Sequence, residues 1–201
     1  MFHLKKIIIA TANKGKARDF KKLLEPLGFV IETLADYPDL PEVIETGYTF
    51  EENARLKAET ISKSLQLPVL ADDSGLMIEA LHGQPGVFSA RFAGEDKNDS
   101  ANNAKVLAML GEIQPENRQA RFHCTLVLAH PEKDSLVVEG EVEGQIAKFP
   151  RGENGFGYDP LFYYPELDKT FGEMTDEEKN TISHRARALE KLESQIEAWF
   201  N

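Results

Sequence analysis

Within six residues, Thr11-Ala12-Asn13-Lys14-Gly15-Lys16 sets a hydroxyl, an amide, two ammonium groups and a glycine. A loop of this kind leading into a helix leaves backbone N–H groups at the helix amino terminus, where phosphate is favoured. Gly15-Lys16 invites comparison with the GxxxxGK[ST] phosphate loop, but that pattern needs Gly at position 10 and a hydroxyl at position 17, and both are Ala. This argues against a P-loop NTPase. A plain turn bearing surface lysines stays open beside the phosphate cradle. Further along, Asp72-Asp73-Ser74-Gly75 follows the apolar Val69-Leu70-Ala71. Adjacent acids repel unless a cation or solvent compensates, and oxygen-only donors suit Mg²⁺, which takes one or two carboxylates and keeps several waters. Taken alone, those four residues read first as an acidic turn.

Phe156-Gly157-Tyr158-Asp159 places two aromatics around a glycine beside an acid. The rings are expected to hold a flat base between them, where stacking is worth about 1–3 kcal/mol, while the carboxylate accepts base N–H groups. A hydrophobic plug under a loop is the alternative. Ser183-His184-Arg185 opens a final helix, with Lys179 five residues before His184. Cations at a helix amino terminus oppose the helix dipole, so helix stability does not explain them and a ligand-facing role gains weight. His184 by itself reads as a capping or surface residue. The sequence shows no His/Cys cluster for zinc and no GxSxG serine motif.

The elements that must carry these groups alternate. Ile7-Ile8-Ile9-Ala10 reads as a buried strand, followed by helical spacing of Ala17, Phe20, Leu23 and Leu24 up to Pro26. Thr49-Phe-Glu-Glu52 has capping-box spacing ahead of the apolar stripe Ala54, Ala58, Ile61 and Leu65. Val69–Ala71 predicts a short strand ending at Asp72, and Asp99 is placed as the cap of a helix carrying Val106, Leu107 and Leu110. Residues 121–128 and 136–146 predict two strands, 152–157 a glycine-rich loop, and Ser183 caps the last helix. The expected class is α/β with a mixed central sheet and flanking helices, residues 1–201 forming one domain.

Composition narrows the partners. A net charge of −11 argues against a protein that coats nucleic acid, since such binding rests on many Lys and Arg contacts to phosphate. The charge is uneven: residues 1–22 hold Lys5, Lys6, Lys14, Lys16, Arg18, Lys21 and Lys22 against Asp19 alone. A small anion would be drawn to that end, although a solvated basic helix face accounts for it equally. No apolar run approaches the roughly 20 residues of a membrane helix. The opening Met-Phe-His-Leu-Lys-Lys lacks the pattern of a secretory leader, and the single cysteine excludes an internal disulfide, so a cytoplasmic location is expected. Cys124 alternates with Phe122, Leu126 and Leu128, which predicts a core thiol.

Taken together, TANKGK at 11–16, TGYTFEENARLKAE at 46–59, ADDSGL at 71–76, PGVFSARFAG at 85–94, ARFHC at 120–124, FGYDPLF at 156–162 and EKNTISHRA at 178–186 resemble the inosine triphosphate pyrophosphatase family, the dITP/XTP or non-canonical purine NTP pyrophosphatases. The resemblance implies an elongated fold with two lobes around a cleft, a homodimer, and hydrolysis of ITP, dITP or XTP to the monophosphate and pyrophosphate. It also implies roles. Thr11, Ala12, Asn13, Lys14, Gly15, Lys16 and Ser74 would contact phosphates and sugar. Asp73 would bind Mg²⁺ and accept the catalytic proton, while Phe156, Gly157, Tyr158, Asp159, Lys179, His184 and Arg185 would form the base pocket. Family members commonly carry two acids before the Thr-Gly of the second segment, the first a metal ligand. Here Ile44 stands there, followed by Glu45, with Glu42 two residues earlier. Glu45 is the expected second ligand and Glu42 its alternative. A Maf-like pyrophosphatase for modified or pyrimidine nucleotides, or a nucleotide-binding module without turnover, are the competing readings.

Overall fold

The computed structural model describes residues 6–40 and 42–200. Lys5, counted in the basic stretch, and the opening residues read for a leader lie outside the described residues. In chain order the elements are β1 (Lys6–Ile9), α1 (Lys14–Leu24), β2 (Val30–Thr33), α2 (Phe50–Leu65), β3 (Val69–Ile78), α3 (Asp99–Leu110), β4 (Gln119–His130), β5 (Lys133–Ile146), β6 (Phe162–Tyr164), β7 (Lys169–Thr170), α4 (Asp176–Ile182) and α5 (His184–Phe200), with short 3₁₀ segments between them. The strands form one seven-stranded sheet in the order β2-β1-β3-β4-β5-β6-β7. β1 is parallel to β2 and β3, whereas β5, β6 and β7 pair antiparallel, so the sheet is mixed, as the sequence predicts.

The chain forms two compact units. One holds the chain through Asp73, Cys124–Gly140 and Ala188 onward; the other holds Ser74–His123 and Glu141–Arg187. In the first unit β1 is covered on both faces, which is why it reads as an unbroken apolar run. Ile7 and Ile9 pack with Phe20 and Leu24 of α1 and with Leu192 and Ile196 of α5, while Ile8 packs with Ala54, Ala58 and Ile61 of α2. The alternation follows from the two-residue period of a strand. Cys124 belongs to the first of these clusters and is fully buried. The second unit has its own aromatic centre, where the Phe122 and Phe162 rings lie 4.6 Å apart and Phe171 lies 4.8 Å from Phe162.

Two local expectations are corrected, and one helix appears that the sequence reading did not address. β3 does not stop at Asp72 but runs on to Ile78, because its central place in the sheet outweighs the poor strand preference of Asp and Gly. α3 is capped by Asn98, whose side chain accepts from Ala101 N, and Asp99 is its first helical residue. A separate helix, α4, precedes the last one and is started by a Thr175–Glu178 capping box. Ser183 does cap α5, accepting from Ala186 N at 3.1 Å. Among the described residues no helix is long and apolar enough to cross a membrane.

α2 begins as its sequence demands. Thr49 Oγ1 accepts from Glu52 N at 3.1 Å, and Glu52 Oε2 accepts from Thr49 N and Tyr48 N. Replacing Thr49 by Ala should lower unfolding stability by about 1 kcal/mol in a urea titration with an unchanged slope; no loss would show that the cap carries no weight.

Candidate functional site

The amino-terminal loop is more self-contained than its residue types imply. Asn13 caps α1, and its side-chain oxygen accepts from Gly15 N at 2.8 Å and Lys16 N at 3.1 Å. Thr11 Oγ1 in turn accepts from Asn13 N at 3.2 Å. The amides expected to face a phosphate are therefore engaged within the loop. Lys16 is also engaged, 2.9 Å from Asp72 Oδ2, and this aspartate is almost wholly buried. Ala12 and Lys14 remain exposed at the mouth of the loop.

Asp73, the next residue of β3, is buried as well. Asn53 of α2 donates from Nδ2 to Asp73 Oδ2 at 3.1 Å and accepts from Gly47 N at 2.7 Å. Gly47 has to be glycine: a Cβ there would lie 2.7 Å from both Asn53 Oδ1 and Glu52 Cβ. One turn beyond Asn53, Lys57 places its ammonium 2.6 Å from Glu45 and 3.8 Å from Asp73 Oδ1. Along 43–47 exposure alternates, so Ile44 faces outward, 77% exposed, while Glu45 turns in to Lys57 and Glu42 is exposed. The acid on Asp73's side is thus Glu45.

These contacts set the charges. Burial pushes the Asp73 carboxyl up to about 6, against the pull of the Lys57 and Lys16 ammonium groups and the Asn53 hydrogen bond, with Glu45 adding to the rise. Burial alone would lower Lys57, but Asp73, Asp72 and Glu45 together lift it above its ordinary value, so it stays charged. Asn53 and Lys57 were not singled out by sequence reasoning. Their signal was present: they sit four residues apart, each directly before a buried alanine of the α2 stripe.

In the second unit, Asp159 and Lys179 form a buried ion pair, and Asp159 Oδ2 also accepts from Phe156 N at 3.0 Å. Lys179 Nζ lies 4.9 Å from the Phe156 ring centre, and Arg185 Cζ lies 5.9 Å from it. Arg185 is buried and its Nη2 reaches Ser74 Oγ at 3.4 Å. The His184 ring stacks on Phe122 at 4.8 Å, so His184 is a packed residue and not a surface cap. The structure thus gathers Phe156, Lys179 and Arg185 but does not build a slot between two rings. Tyr158 is in the core with its hydroxyl donating to Ser89 O, because its ring completes the aromatic cluster. Asp159 is engaged by Lys179 and its own loop instead of standing open to a base.

The Asp73 shift has a direct consequence for stability. The folded carboxyl holds its proton up to about 6, whereas the reference value is 3.8. Protonation therefore favours the fold, a contribution fully present below the unfolded value and lost as pH rises through about 6. In metal-free protein, Asp73→Asn, which cannot ionise, should gain stability relative to wild type between pH 4 and 7, by up to about 3 kcal/mol. Urea unfolding at several pH values measures this, and a pH-independent difference would contradict it.

Residues 7–195 match the model of the Ham1 family. The chain is 56% identical over 194 residues to a dITP/XTP pyrophosphatase of Geobacillus kaustophilus, covering 96% of this chain and 95% of that protein. It is 53% identical over 198 residues to the dITP/XTP pyrophosphatase of Bacillus subtilis, covering 98% and 100%. Among solved structures, the Staphylococcus aureus Ham1 protein superposes with a TM-score of 0.86 at 46% identity, covering 96% of this chain and 99% of that one. A Ham1 protein from Coxiella burnetii gives 0.87 at 42% identity with the same coverage. With sequence, ordered motifs and fold in agreement, the chain belongs to the Ham1 family.

Proposed function

We propose that this protein hydrolyses non-canonical purine nucleoside triphosphates, ITP, dITP and XTP, to the monophosphate and pyrophosphate, removing them from the nucleotide pool. The observation that carries the reading is the buried Asp73, lifted to about 6 and sharing the Lys57 ammonium with Glu45. In the metal-free protein this carboxyl is poised near neutrality and suited to taking a proton from attacking water; a bound Mg²⁺ would lower it, so holding the metal and taking the proton compete at this side chain. Water adds to the α-phosphorus, its proton passes to Asp73, and the bond to the bridging oxygen breaks with pyrophosphate leaving. Lys14, Lys16 and Lys57 offset the charge that collects on the leaving group, so that fixed electrostatics does most of the work.

The donor set fits Mg²⁺. Asp73 and Glu45 both face the Lys57 ammonium, which would have to give way for a metal ion held by the two carboxylates, and no larger group of acid, His or Cys side chains able to hold a metal occurs among the described residues. Mg²⁺ takes one or two carboxylates and completes its shell with water and phosphate oxygens. When bound, it supplies charge neutralisation to the triphosphate. For the base, Arg185 offers only donors, which suits the C6 carbonyl of inosine and xanthosine and opposes the adenine amine. The cytoplasmic location rests on the single cysteine of the sequence, and the homodimer on the family resemblance.

Pyrophosphate release should be measured on ITP, XTP, dITP, GTP, ATP and dTTP with Mg²⁺ and with EDTA. The expected result is Mg²⁺-dependent release favouring ITP, dITP and XTP; preference for dTTP would move the assignment to a Maf-like enzyme, and no release would leave a binding module. Asp73→Asn should lose about 10²-fold or more in kcat at saturating Mg²⁺, and near-normal turnover would sink its role. Arg185→Ala should narrow the ITP-to-ATP ratio of kcat/KM by about tenfold; an unchanged ratio counts against base reading by this residue.

A further inference from the structure

Two stretches take no part in the chemistry above, yet both bear on the loop that carries Phe156. They are the 85–94 segment and the first two turns of α3. Asp99 opens α3 and Asn103 lies one turn later on the same face. Gly157 N donates to Asp99 Oδ2 at 2.7 Å, and Gly157 O accepts from Asn103 Nδ2 at 2.9 Å. The two bonds grip the peptide units on either side of a single Cα. Gly157 has φ +62°, a conformation that only glycine adopts freely, and glycine would otherwise be the loosest point of the loop. With both flanking peptide planes held, a turn of the backbone there has to break one of these bonds, which restrains the direction of Phe156 on one side and of the following residues on the other.

An acid in the first turn suits the α3 dipole, but that does not call for the contact Asp99 makes with Gly157 N, and Asn103 has no such reason within its helix. The cap of α3 is supplied by Asn98, so Asp99 is not needed for it. Asn is a poor residue for a helix interior, and Asn103 Oδ1 is buried without a hydrogen-bond partner, a further cost. The 85–94 segment secures the other end of the loop. Tyr158 donates to Ser89 O at 2.7 Å, Ser89 Oγ accepts from Leu76 N at 2.9 Å, and Asn102 of α3 holds Ala90 O and Ala93 N.

We propose that Asp99 and Asn103 are positioning residues that lock the Gly157 peptide, so that discrimination between purine bases depends on the first two turns of α3 as well as on the groups facing the base. This rests on the purine-triphosphate reading above. Asp99 is exposed, which makes Asp99→Ala a substitution the fold tolerates. It should speed amide exchange at Gly157 by about tenfold and narrow the ITP-to-ATP ratio of kcat/KM by a similar factor, chiefly through a higher KM for ITP. Asp99→Asn keeps an acceptor oxygen and should restore most of both. Asn103→Ala should act in the same direction, and the double variant should fall short of the product of the two, since both act on one residue. Unchanged exchange at Gly157, or faster exchange with an unchanged substrate ratio, overturns the proposal. If the wild type releases no pyrophosphate from ITP, the pyrophosphatase reading fails on its own. The ratio of ITP to ATP dissociation constants, compared between wild type and Asp99→Ala, then decides the clamp in place of kinetics.

Discussion

Burying a carboxylate in the middle of a strand is unfavourable unless the surroundings answer its charge, and the first unit is organised around that requirement at Asp73. The answer comes mainly from one side chain, Lys57, which also holds Glu45. Much of the local architecture follows. α2 must start where Thr49 starts it, so that Asn53 and Lys57 arrive on the face turned toward β3. Gly47 must lack a side chain so that its amide can approach Asn53. The extended stretch around Glu45 must keep its alternation, which leaves Ile44 outside. None of these features concerns a ligand directly, yet each is needed for two acids to share a cation without either being fully neutralised.

The second unit solves a related problem with a different emphasis. Lys179 and Asp159 compensate each other under the aromatic cluster, which leaves the Phe156 ring with cationic side chains within 6 Å. A flexible loop would not keep a ring in such a place. Here it is kept by hydrogen bonds to backbone atoms that come from α3, from Ser89 and from Asp159 itself, so the placement is set by groups whose side chains do not resemble a binding motif.

Strong periodicity made the frame legible in the sequence. The apolar run of β1, the stripe of α2, the alternation around Cys124 and the Thr49–Glu52 cap all carry signals that tertiary context did not override. What was not legible depended on partners distant in the chain. Asp72 and Asp73 resemble a turn because acids disfavour strands, and only pairing in the sheet shows otherwise. Tyr158 was read as a stacking surface because ring type says nothing about whether its hydroxyl finds a buried carbonyl. Lys57 looks like any helix-surface lysine until Asp73 and Glu45 are brought beside it. Asn13 was counted as a donor toward phosphate, whereas its carbonyl oxygen turned out to be an acceptor within its own loop.

That last feature alters how the amino-terminal loop meets an anion. Because Asn13 already satisfies the Gly15 and Lys16 amides, an oxyanion that is to use those two groups must exchange for an existing bond. The balance then favours ligands whose charge is dense enough to displace a neutral amide carbonyl. With those two amides capped, the exposed Lys14 ammonium is the loop's readier contact for an anion, so the side chain leads and the helix terminus follows.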